Sequence, residues 1–195
     1  MDDADRRYLE EAFDHWIRSG YGLESLPDEI EERAEDLVGP LAPEDLAWLE
    51  GFVADGVAAQ REREASWGDA DTINDLLDEA FAELIDDGIV ALQNAGFTMS
   101  EGWEDVQEAR RDVPEAHGAV FWHGQDTERG VRGEGLMLAF GSFTMGDEHE
   151  AASLAIARQV CDVLRKHGVE VSWSGSLNER IRVAPFEWRK RSTAG

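Results

Sequence analysis

The spacing of apolar residues changes near residue 118, and this change limits the folds that the chain can adopt. Before it, apolar residues recur at helical spacing in segments bounded by Gly and Pro. After it come the β-rich runs GAVFWH and LMLAFG, which are apolar on both faces, as central strands covered on two sides are. With 195 residues, 42% of them apolar, the chain can bury a core. The pattern predicts an α+β protein whose helices come first.

Five helices are expected before the change. The first covers about residues 4–18, where Tyr8, Ala12, His15 and Trp16 form an apolar stripe that Leu9 and Phe13 widen. The second covers about 28–37, the third begins near Pro43, the fourth is capped by Asp71 or Thr72, and the fifth runs from a Thr98–Glu101 capping box to about Arg111. The segment 89–97 suits either a short strand or the wall of a turn.

The second part of the chain predicts strands around one further helix. That helix covers about 151–167, and the alternating runs VEVSW and RIRVAP follow as a hairpin joined by SGSLNE. The order expected in this part is α-β-β-α-β-β, with a right-handed crossover between 136 and 173. An N-terminal helical region would pack on a small mixed sheet, with the 151–167 helix on one face and the preceding helices on the other. The expected domains are 1–66 and 67–195, or one continuous domain.

The negative charge lies in one part of the sequence. Of the net charge of −25, all falls in residues 1–117, which hold 33 acidic residues and 8 Arg, whereas 118–195 holds ten residues of each sign. Such a field argues against a general nucleic-acid binder or a membrane-surface protein. It suits solubility or docking to a basic partner, and both alternatives stay open.

Several other classes of protein lack support in the sequence. The lone Cys161 cannot form an intramolecular disulfide, and no apolar leader or membrane span is evident, so the cytoplasm is the expected location. The five histidines are scattered, and no phosphate-binding loop or nucleophile motif is present. We therefore expect neither a metal nor a cofactor, and the oligomeric state is left open.

The run FWHGQDTERG at 121–130 is the strongest candidate for a site. A histidine, an amide and two acids behind an apolar strand could hold a ligand or transfer a proton. Alternatively, Gly124 permits a sharp turn, Asp126 caps a short helix through Val131, and Glu128 and Arg129 face water. The candidate ligand-site residues are His123, Gln125, Asp126, Glu128, Trp103, Trp173 and Arg180, and no catalytic residue is assigned among them.

Six blocks together resemble an uncharacterised bacterial family with a domain of unknown function. They are REASW, GIVALQNAGFTMSEGWEDVQEA, FWHGQD, GLMLAFG, GVEVSWSG and RIRVAPFEWRKR, which span roughly residues 60–191. The chain has Trp67-Gly68 where Trp-Pro is expected, a difference that affects a turn. The resemblance implies a shared architecture and a soluble bacterial protein, and it implies no reaction.

Two functions follow as hypotheses. The first is a non-enzymatic interaction or regulatory protein whose acidic helical half binds a basic protein. The second is a small-molecule binder or enzyme with its pocket near His123, Gln125 and Asp126, where the central strands end.

Overall fold

The computed structural model describes residues 1–192 and shows an α+β protein, as predicted. The helices are α1 Asp3–Ser19, α2 Ile30–Val38, α3 Pro43–Ser66, α4 Ile73–Asp86, α5 Met99–Ala109, α6 Gly124–Val131 and α7 His149–Lys166. The strands are β1 Ile89–Leu92, β2 Gly118–Phe121, β3 Leu136–Ser142, β4 Val171–Ser172 and β5 Ile181–Val183. Single turns of 3-10 helix cover Leu26–Asp28 and Gly146–Glu148.

The described chain divides into two compact units. The N-terminal unit comprises residues 1–70 together with the segment that follows residue 188. The sheet unit comprises residues 71–188. The returning segment is held by hydrogen bonds: Arg191 Nη2 donates to the carbonyl of Gly68 at 2.9 Å, and Ser192 Oγ donates to Glu64 at 2.8 Å. Residues distant in sequence therefore complete the N-terminal unit.

Helices α1, α2 and α3 form the core of the N-terminal unit. Leu9, Phe13 and Ile17 of α1 are buried with Leu49 and Val53 of α3. The buried stripe on α1 is thus rotated from the predicted stripe. Tyr8, which was predicted to belong to the stripe, is 50% exposed. Helix α1 begins at a good cap, since the Asp2 side chain accepts from the N–H groups of Ala4 and Asp5.

The sheet has the strand order β1-β2-β3-β5-β4. Strands β1 and β2 are parallel, and the other neighbours are antiparallel. The β4–β5 hairpin is present as expected, and β5 lies between β3 and β4, which are consequently parallel to each other. Two elements extend the predicted order: the ambiguous segment forms β1, and the turn after β2 forms α6.

Helices cover both faces of the sheet, although not as predicted. Helix α7 packs on β3 and lies beside α4, so α4 shares its face instead of the opposite one. The contacts between them include Lys166 Nζ to Glu83 at 2.7 Å and Gln159 to Asp87 at 3.1 Å. Helix α5 covers the other face, where Val106 packs with Phe121 and further small residues of the sheet. The sheet lies between these two layers.

Candidate functional site

The turn after β2 is shaped by one buried carboxylate. Asp126 lies three residues after His123, which precedes α6, and its Oδ2 accepts the His123 backbone N–H at 3.4 Å. Asp126 thus acts from the third position of α6, whereas the sequence analysis placed it at the start of the helix, where the N-cap is His123. Gly124 is needed beside it, because a Cβ there would lie 2.7 Å from the Phe97 ring. The chain turns tightly here and directs His123 and Asp126 inward.

Arg180 of the β4–β5 hairpin completes a charged cluster with these two residues. Arg180 Nη1 donates to Asp126 Oδ2 at 2.7 Å, and His123 Nε2 lies 3.1 Å from the same oxygen. Arg180 Nη1 also lies 3.3 Å from His123 Nε2. The Asp126 side chain is 1% exposed, so its charge has lost almost all contact with water. The guanidinium compensates that charge and ties the hairpin to α6.

The surroundings of His123 lower its pKa and thereby favour the neutral imidazole. Burial lowers the pKa of its imidazole, the carboxylate of Asp126 opposes this shift, and the positive charges of Arg180 and Arg129 add to it. Among the described residues, neither His123 Nδ1 nor Asp126 Oδ1 has a hydrogen-bond partner. Because the His123 side chain is buried, this cluster positions Arg180 and offers no exposed acid or base to a substrate.

The remaining candidate residues lie apart from this cluster. Gln125 is exposed on α6, and Glu128 pairs with Arg132 at 3.7 Å. Trp103 packs edge-on against Phe121 under the sheet. These three side chains are not brought to His123 and Asp126 by any contact between described residues.

Trp173 and Arg180 meet at a surface cleft of about 610 Å³. Its floor is a cross-strand row in which Met137 of β3 pairs with Arg182 of β5, and Arg182 pairs with Ser172 of β4. Its other lining residues are Trp173, Ser174, Asn178, Glu179 and Arg180. The cleft combines two guanidinium groups with an indole ring, the Glu179 carboxylate and small polar side chains. Arg182 was absent from the candidate set, although the alternation in RIRVAP places it on the same face as Arg180.

A second cavity of about 330 Å³, which the sequence analysis did not identify, follows the outer edge of β1. We call it the β1 groove. The whole of β1 lines it, together with the end of α4 and the α5–β2 connection: Ile85, Asp86, Gly88, Ala109, Val113, Glu115 and Ala116. The only signal in the sequence was the apolar run IVAL.

Two further observations concern the described chain. Within residues 1–192, no three His, Cys, Asp or Glu side chains are placed to hold a metal ion together. None of the helices in the same range has the length and apolar character needed to cross a membrane.

A comparison with known protein families identifies the family to which the chain belongs. The model of the family described as Domain of unknown function (DUF6891) matches residues 2–192. The chain belongs to this family. The DUF6891 match confirms the predicted resemblance and extends it over the N-terminal unit. No curated protein and no solved structure matches the chain.

Proposed function

We propose that this DUF6891 protein is a non-enzymatic interaction or regulatory protein of the bacterial cytoplasm, whose acidic half, residues 1–117, binds a basic protein. One observation carries the proposal: exposed carboxylates of α2 and α5 have no ion-pair partner among the described residues. These are Glu31, Glu32, Glu35 and Asp36 on α2, and Glu104 and Glu108 on α5.

Four of the eight arginines in the same half, Arg6, Arg18, Arg33 and Arg110, are already engaged, and the other four cannot compensate 33 acidic residues. Arg33 pairs with Glu29 at 2.6 Å, and Arg18 pairs with Asp14 at 3.6 Å. Arg110 stacks on the ring of Phe143. Unpaired exposed acids produce a negative potential that attracts a basic partner and speeds its association. Binding through this potential weakens as salt is added.

Two charge-matched variants test the proposal. The first replaces Glu32, Asp36, Glu104 and Glu108 by their amides, and the control replaces Asp147, Glu150, Asp162 and Glu170, which are also exposed, in the same way. Both variants lose the same charge, but only the first loses it from the acidic half. The probe is a peptide of alternating Lys and Ser, titrated calorimetrically at about 0.05 and 0.3 M salt.

We expect the first variant to bind the peptide about tenfold more weakly than the wild-type chain, because several screened interactions are lost together. The control should change affinity no more than about twofold. Equal losses in the two variants would show that only net charge matters. Such equal losses of affinity would overturn the proposal, and so would a wild-type chain that does not bind the peptide at low salt.

The cleft at Trp173 supports a second candidate function, the binding of a small anion. Asp126 holds Arg180 from within, so this guanidinium is already oriented when a ligand arrives. Benzoate and inorganic phosphate are suitable probes in a thermal-shift assay. We expect stabilisation that Arg182→Gln abolishes and that Arg158→Gln, an exposed change on α7, preserves. Stabilisation by neither probe, or its persistence in Arg182→Gln, would remove this candidate.

A further inference from the structure

We infer that the β1 groove binds an extended, basic segment of the partner, which adds to the sheet as a strand beside β1. This inference rests on the proposed function, because it names the place and the manner in which the acidic half binds its partner. It concerns an edge of the sheet and not the cleft at Trp173.

The backbone of β1 pairs with a described strand on one side only. β1 is the first strand in the sheet order, so its only neighbour among the described strands is β2. In a parallel ladder, alternate residues bond to the neighbouring strand. The bond from the Trp122 N–H to the Leu92 carbonyl shows that Leu92, and with it Val90, faces β2. The N–H and C=O groups of Ile89 and Ala91 therefore point to the groove.

The walls of the groove are apolar and partly uncovered. Ile85 at the end of α4 is 54% exposed, and Val113 in the α5–β2 connection is 39% exposed. Ala109 and Ala116 add small apolar surface between them. A strand laid along β1 would place alternate side chains against this surface, as in other complexes that extend a sheet. The groove thus offers both backbone hydrogen bonds and apolar pockets.

The charges around the groove indicate which kind of segment it binds. Asp86 and Glu115 line it, and in the α5–β2 connection the exposed Arg111 and Asp112 are adjacent and offset each other. A second copy of this chain would bring another net charge of −25 to the same place. A segment that alternates basic and apolar residues complements both the acids and the apolar walls. We therefore assign the groove to such a segment of a basic protein.

Peptides separate the contributions of charge and groove. The probe alternates Lys and Val over about six residues, the usual length of a strand. One reference peptide has Ser in place of Val, and another carries N-methyl groups on alternate residues, which remove backbone donors. We expect the Lys–Val peptide to bind about tenfold more tightly than either reference.

Changes in the walls of the groove should remove that preference. In the variant Ile85→Ser with Val113→Ser, the Lys–Val peptide should bind only as well as the Lys–Ser peptide, whose affinity should be unchanged. Met145→Ser is the control, since Met145 is 86% exposed and does not line the groove. Amide exchange gives a second measurement: on binding, exchange at Ile89 and Ala91 should slow about tenfold, with little change at Val90 and Leu92.

The outcomes distinguish the inference from the function on which it rests. Equal binding of the Lys–Val and Lys–Ser peptides, or unchanged exchange at Ile89 and Ala91, would overturn the groove assignment. The charge-matched variants would still decide the proposed function independently. A dimer in light scattering that the Ile85→Ser and Val113→Ser changes dissociate would show that a second copy occupies the groove, and would also overturn the assignment.

Discussion

Replacing Arg180 by Met should destabilise the sheet unit strongly. The methionine retains much of the arginine stem but removes the charge that compensates Asp126, whose side chain is 1% exposed. Breaking a buried ion pair by removing one partner costs about 3–5 kcal/mol. Because the Arg180 side chain is 26% exposed, water can approach the remaining carboxylate, and the lower value of about 3 kcal/mol applies.

The loss can be measured by urea and thermal unfolding followed by circular dichroism. For a unit of this size, a loss of about 3 kcal/mol lowers Tm by about 10 °C. The matched control is Arg182→Met, two residues further along the chain on β5, where the side chain is exposed and should contribute less than about 0.5 kcal/mol. Adding Asp126→Asn to Arg180→Met removes the buried charge and should recover about 1.5 kcal/mol or more.

Equal effects of Arg180→Met and Arg182→Met would refute this account. Such a result would mean that Asp126 is stabilised without the guanidinium. A double variant whose loss equals the sum of the two single losses would show that Arg180 and Asp126 do not act as a pair.

Three further predictions concern single side chains. Folding lowers the pKa of His123, so the neutral imidazole contributes its full stability above the unfolded pKa of about 6.5, and this stability is lost as the pH falls below about 6.5. The variant His123→Asn should therefore flatten the dependence of the urea midpoint on pH between about 7.5 and 5.5. Trp122→Phe should lower the free energy of unfolding in urea by less than about 1.5 kcal/mol. The buried indole N–H has no acceptor among the described residues, so removing it offsets part of the packing that the smaller ring loses. A larger loss of stability would contradict this reasoning. In α3, Gly51→Ala should raise the free energy of unfolding by about 0.5–1 kcal/mol, because no atom lies near the added methyl group. Gly56→Ala should raise it less, because the added Cβ would lie 2.7 Å from Ile17 Cδ1. Equal gains of the two variants in thermal unfolding would refute the effect of this contact.

The helices and their caps were predictable because their causes are local. The capping box at Thr98 and Glu101 is present, with the Glu101 carboxylate accepting the Thr98 N–H at 2.8 Å. The buried face of α1 was predicted less well. Tyr8 and Ile17 suit a helix equally, and only the packing against α3 decides that Ile17 is buried and Tyr8 is exposed.

The positions of α4 and β1 could not be predicted, because local sequence patterns carry no information on contacts between distant residues. The run IVAL is short and apolar, so it could not be distinguished from the wall of a turn. Which face of the sheet α4 covers is decided by its packing on β1 and beside α7, whose residues are distant in sequence. The β1 groove follows from both of these placements, and it was therefore beyond prediction from one sequence.

The candidate site was predicted in part. A capping role of Asp126 was expected, but Asp126 lies at the third position of α6 and His123 is the N-cap. The structure joins Asp126, His123 and Arg180 across more than fifty residues. The candidate set contained all three, but no local rule indicated that Arg180 would reach Asp126. Gln125, Glu128 and Trp103 were grouped with them by nearness in sequence or by residue type, and their contacts lie elsewhere.

The position of β5 has a consequence for biosynthesis. Among the described strands it is the last to be translated, yet it lies between β3 and β4, and residues 189–192 return to complete the N-terminal unit. Neither unit can therefore close until nearly all of these residues have been translated. A nascent chain stalled before residue 181 would present the apolar edge of β3 without its neighbour, and an unpaired apolar strand is a site of aggregation.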